Sequence, residues 1–222
     1  MFAGHVGAAL ALGRVERRVN VGVLVTAALL LDGLLWLFVL VGWESVGIPA
    51  DFARTYQPEF EFPFSHGLAA GVLWSALGGA AGLLAYAHLS RAKWGAAALI
   101  FAAVFSHWVL DALVHGAELP LAGAASPRIG LGLWNAMPIA LLVEAAIVVA
   151  GLWLFMRGSA LSRGRSIALG VMSLLLLAFT IVGMTIAPPP PSSVAMAGSS
   201  LATVVGVCAL ACWLGRPPRG RM

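Results

Sequence analysis

Apolar residues run in six long blocks, and the short stretches between them collect nearly all of the charged residues. About 20 apolar residues cross the hydrocarbon core of a bilayer as a helix. The blocks therefore predict spans near 20–42, 66–89, 94–115, 131–156, 166–187 and 199–214, the last of them short. A further apolar run, Phe2–Leu12, is too short to cross. The basic cluster Arg14, Arg17 and Arg18 follows it, and the first span then begins. This order predicts a half-helix packed antiparallel to the first span, with protein covering its irregular end as the bilayer requires.

Composition agrees with that pattern. Of 222 residues, 61% are hydrophobic and 10% are charged, where a soluble domain carries about 25% charged residues. Mean hydropathy is +0.96. An all-α, polytopic helical membrane protein of about six spans plus a half-helix follows. Too little alternating sequence is present for an outer-membrane barrel. The order of charge and apolar residues at the start does not match a cleavable signal peptide, in which the charge comes first.

The formal charge of +4 sorts by loop and does not predict nucleic-acid binding. Eleven of the thirteen basic residues fall at 14–18, 91–93, 157–165 and 216–221. Only Arg54 and Arg128 lie in the alternate segments, which hold Glu44, Asp51, Glu59, Glu61 and Glu118. The positive-inside rule then places both basic ends on the cytoplasmic side of the membrane. Trp43 and Trp134 fall at the outer boundary, and Trp94, Trp153 and Trp213 at the inner one, as an aromatic belt. The outer loop 43–65 is acidic, aromatic and proline-bearing, and is placed to fold over the outer mouth. Pro188–Pro191 forms a stiff corner before the last span. Cys208 and Cys212, four apart in that span, read as packing residues.

Candidate chemistry sits inside the apolar blocks. His107, Asp111 and His115 repeat at i, i+4 and i+8, on one helical face. Asp32 and Glu144 lie in two other blocks, and His66 opens a third. By rise per residue, His107 stands roughly 20 Å above Trp94, Glu144 roughly 18 Å above Met156, and Asp32 roughly 18 Å above Asn20. His5 on the half-helix rises roughly 13 Å above Arg14 and so reaches the level of Asp32. Five segments thus bring His5, Asp32, His66, His107, Asp111, His115 and Glu144 into the outer half of the membrane. Each carboxylate at membrane depth costs about 2.5–3.5 kcal/mol, and a divalent cation offsets that cost. Mixed imidazole and carboxylate ligands suit zinc first, with manganese or iron as alternatives. Two carboxylates with several histidines are also enough for a two-metal site. His88, beside Arg91, reads as a solvated interface residue.

The motifs that carry these residues are Gly4-His5, Leu30-Leu31-Asp32, Ser65-His66 and Ser106-His107-Trp108-Val109-Leu110-Asp111. Their order resembles that of the YdjM-like, LexA-regulated inner-membrane family, described as membrane-bound metal-dependent hydrolases. That family is similar in turn to the all-helical, zinc-dependent phospholipase C group. The resemblance covers about residues 3–156. It implies metal ligands at His5, Asp32, His66, His107, Asp111 and His115, with Glu144 last. Ala140 stands where the family's final motif has His, and Asp32-Gly33 replaces a longer acidic motif.

The sequence accordingly divides into 1–156, a metal-site membrane domain of half-helix and four spans, and 157–222, two further spans and a basic tail. The expected function is hydrolysis of a phosphoester or phospholipid by metal-activated water, with Asp32 and Glu144 as catalytic carboxylates and Arg128 on a phosphate oxygen. The expected partners are the bilayer and a lipid or phosphoester substrate. Two other readings use the same residues: a proton- or metal-coupled transporter, with His107 and Asp111 as a relay, and a non-catalytic structural membrane protein.

Overall fold

The computed structural model describes residues 1–159 and 161–216. The tail residues Arg219 and Arg221 of the charge pattern lie outside them. The chain is all-α. Helix α1 (Phe2–Gly13) is followed by α2 (Val21–Ala28) and α3 (Leu30–Leu40). Loop 43–65 holds the ribbon β1 (Ser45–Gly47) and β2 (Glu59–Glu61), with the short α4 (Phe52–Thr55) between its strands. Then come α5 (Leu68–Ala85) and α6 (Ala92–Val114). A second ribbon pairs β3 (Leu119–Pro120) with β4 (Arg128–Ile129). Helices α7 (Met137–Met156), α8 (Arg163–Gly183) and α9 (Ser193–Leu214) complete the chain.

Five of these segments are long and apolar enough to cross a membrane, and α2 with α3 makes a sixth, bent by 47°. The bend has a local cause. It falls at Leu29, one residue after Ala28, whose carbonyl accepts a hydrogen bond from His107 Nδ1 at 2.6 Å. A side chain that enters the i→i−4 ladder kinks a helix. The last span begins at Ser193, six residues before the apolar block that predicts it. Ser192 caps it by accepting from the Ala195 amide at 3.1 Å. Its first turns are serine-rich, which hides the helix from a search for apolar runs.

Helix α1 is a buried half-helix, as the sequence predicts, with Ala3, His5, Val6, Ala9 and Leu10 all sealed from solvent. Its main neighbour differs from the expected one. It packs first on α7 and then on α2, with α6 and α8 around it. Two glycines make this possible. A Cβ on Gly7 would stand 2.7 Å from the Ile147 carbonyl oxygen, and one on Gly151 would strike Gly7 itself. The bare backbones lie against each other, as small residues allow between membrane helices. Asn20 ties α2 to α9 in the same region. Its side chain accepts from the Gly22 amide and donates to the Cys212 carbonyl.

Helices α8 and α9 are not an appendage. The first packs on α1 and α7, the second on α2 and α3. Trp43, Trp94, Trp153 and Trp213 are all more than half exposed, in keeping with a belt at the membrane surfaces.

Candidate metal centre

Four elements deliver the central groups: α3 carries Asp32, the turn before α5 carries His66, α6 carries His107 and Asp111, and α1 carries His5. Two sets of ligand atoms each lie within 4.8 Å of one another, His66 with His107 and Asp111, and His5 with Asp32 and His107. His66, His107 and Asp111 are all at least 97% buried. His66 Nε2 stands 3.1 Å from His107 Nε2, and Asp111 Oδ2 is 3.4 and 3.1 Å from those two nitrogens. Asp32 Oδ1 approaches the same pair at 4.0 and 3.8 Å.

The far nitrogens decide the chemistry. His107 Nδ1 faces the Ala28 carbonyl, which only accepts, so Nδ1 carries the proton. His66 Nδ1 lies 2.8 Å from Ser65 Oγ, and that hydroxyl donates to Glu44 Oε2 at 2.7 Å. The hydroxyl is therefore free to accept from His66 Nδ1. In neutral rings both Nε2 atoms then present lone pairs. Two imidazole lone pairs and two carboxylate oxygens then converge. Such a buried set of ligand atoms could hold a metal ion. Each ligating ring has its distal N–H fixed by an acceptor, the usual second layer of a metal site. His107 belongs to both sets but has one free nitrogen, so the two sets could share one cation at most through it.

His5 lies flat on His107, with ring centroids 3.7 Å apart and planes 9° apart. Its Nε2 is 3.2 Å from Asp111 Oδ1, and its buried Nδ1 has no partner among the described residues. The Met1 amine is 3.3 Å from the same Asp111 oxygen.

Glu44 is the residue that sequence reasoning missed. It reads there as one more acid of an exposed loop. It is instead 5% exposed, and accepts from the Phe64 and Ser65 amides and the Ser65 hydroxyl. Burial pushes its carboxyl above the ordinary value, against the pull of those donors. No spacing signal marks it, because the link to His66 runs through the fold of the loop.

The other expected residues stand apart from the ligand sets. His115 ends α6, 2.9 Å from Glu118 Oε2 and packed against the Trp134 ring at 4.2 Å between centroids. Glu144 is buried and accepts from the Gly4 amide at 3.0 Å. It satisfies an otherwise unpaired N–H at the start of α1, where negative charge also suits the helix dipole. Arg128 is on β4, bonded to Glu61 at 3.1 Å on the loop surface. Arg54 is bonded to Asp51. Position 140, one turn before Glu144, is a buried alanine.

A cavity of about 430 Å³ opens beside the cluster, and Asp32, His66, Asp111, His115 and Glu144 all line it. The outer loop roofs it with Phe52, Tyr56, Pro58, Phe60 and Phe62. The loop thus does fold over the mouth. No family model, curated protein or solved structure matches this chain.

Proposed function

We propose that the protein is a membrane-embedded, metal-dependent hydrolase of a phosphoester. The observation that supports this most directly is the convergence of His66 Nε2, His107 Nε2, Asp111 Oδ2 and Asp32 Oδ1 beside a cavity. Imidazole and carboxylate donors in this number suit zinc, with manganese and iron as the alternatives. Such a cation polarises a phosphoryl oxygen and acidifies a bound water.

The chain's own groups then divide the work. The Ala28 carbonyl and the Glu44–Ser65 pair hold the two imidazoles in the ligating tautomer. Asp111 binds through one oxygen while His5 occupies the other. Asp32 is the most exposed member of the set, at 18% of its side chain. It faces the cavity, where it orients the attacking water and takes its proton. Glu144 lines the same cavity and, if protonated, would be placed to give a proton to a leaving alkoxide. Arg128 is bonded to Glu61 and is not among the residues that line the cavity.

The ordered motifs and the convergence of five of their residues support placing the chain with the YdjM-like family. The resemblance supports a bacterial inner membrane, and the distribution of basic residues supports basic ends inside. The test is release of phosphate or alcohol from phosphodiesters and phospholipids by purified protein with added zinc. Activity that is lost in Asp111→Ala supports the reading, and equal activity in that variant sinks it.

A transporter is the second reading, favoured by one observation. The broken span α2–α3 has its break beside the ligand His107, and discontinuous helices line ion sites in transporters. Metal or proton flux in proteoliposomes, abolished in the same variant, would favour it over hydrolysis.

A further inference from the structure

Helices α8 and α9 lie outside the motif-bearing region and carry no ligand residue, yet they form one wall of the cavity that begins at the cluster. Helix α8 leans on α1 and α7, and α9 leans on α2 and α3. The two touch each other only lightly, and the cavity occupies the space between them. Phe179, Met184, Met196, Thr203 and Val204 line it. Phe179 lines it while 57% exposed, and its ring packs edge-on against Phe2 of α1. The aromatic roof lies over the end that faces the outer solution.

Depth identifies the occupant. Along α9 the lining runs from Met196 to Val204, eight residues and roughly 12 Å of rise. One leaflet of hydrocarbon is about 15 Å thick. The slot therefore runs most of the depth of a leaflet, with the carboxylates and imidazoles along its inner side. A small water-soluble phosphoester has no use for such a wall. We infer that α8 and α9 form a lateral slot for the hydrocarbon tail of a bilayer amphiphile, which enters between them and presents a phosphate head to the cluster. The identity of the head rests on the hydrolase reading; the tail slot does not.

The test uses the full chain in phospholipid nanodiscs doped with phosphatidic acid that carries a diazirine near the end of one acyl chain. Photolysis and peptide mapping report where the tail sits. Label on Met184, Met196 and Val204, in addition to outward residues such as Val171 and Leu175, is the expected result. In Thr203→Trp, which fills the slot, label at those three positions should fall by about tenfold, while label on Val171 and Leu175 stays level. Ser200→Phe serves as a second filling variant if the first does not fold. Label confined to the outward faces, or undiminished slot label in both variants, would overturn the proposal. Metal content measured on the same samples separates the two claims. Metal without slot label overturns the slot alone, and slot label without metal overturns the hydrolase reading alone.

Discussion

His66 Nε2 and His107 Nε2 face each other at 3.1 Å while the opposite nitrogen of each ring is committed elsewhere, one to Ser65 and one to Ala28. Two neutral imidazoles so oriented repel unless something positive lies between them. With both rings neutral, the cluster could hold a cation by its geometry as well as by its residue types. Several outcomes depend on that arrangement.

The Glu44–Ser65 pair sets the His66 tautomer without touching the ligand atoms. Glu44→Gln and Ser65→Ala should each weaken metal binding by about 10- to 100-fold, as loss of such outer partners does elsewhere. Competition with a chelator of known affinity measures the change. Glu44→Asp, which keeps an acceptor, should recover part of it. Unchanged affinity in both variants would show that His66 is not held through this route.

Glu44 also predicts a pH dependence. Its carboxyl in the folded protein is pushed above the ordinary value of 4.5 by burial. Below the unfolded value it is neutral in both states and contributes no pH slope. As pH rises through that value, the unfolded state loses its proton first, so the folded state is progressively disfavoured until Glu44 ionises there too. The melting temperature of metal-free Glu44→Gln minus that of wild type should therefore increase from pH 4 upward and then level off. A difference that is flat across this range, or that falls, would contradict the burial assigned to Glu44.

The contact of α1 with α7 tolerates no side chain at its centre. Gly7→Val pushes a branched side chain into the Ile147–Val148 backbone. Overpacking of this kind costs about 1–3 kcal/mol, read as a lowered midpoint in a denaturation series. Because α1 carries His5, the same variant should also bind metal more weakly. Gly164→Val meets open space at the start of α8 and should leave metal binding unchanged.

The architecture was legible in the sequence because apolar runs and basic loops are direct physical requirements of a bilayer. Five of the candidate ligands were legible for a related reason, since an ionisable residue in an apolar run has few uses. The rest depended on contacts that no local pattern encodes. The bend at Leu29 comes from His107, 78 positions after it. The burial of Glu44 comes from the fold of loop 43–65, and the role of Glu144 at the Gly4 amide from the packing of α1 on α7. The participation of α8 and α9 was hidden because a wall of apolar and hydroxyl residues looks like ordinary packing. The start of α9 at Ser193 was hidden by its serines.

Metal binding also links to stability. At a free zinc concentration 100 times the dissociation constant, the folded state gains about 2.7 kcal/mol. The central claim is that His66, His107, Asp111 and Asp32 hold a cation, and its most direct test is metal content. Detergent-purified wild type and a His107→Ala/Asp111→Ala double variant are each equilibrated with zinc, desalted and analysed by elemental mass spectrometry. The account predicts about one equivalent in the wild type, and none in the variant. A wild type that retains no zinc, manganese or iron after reconstitution, or a double variant that retains as much as the wild type, would contradict it.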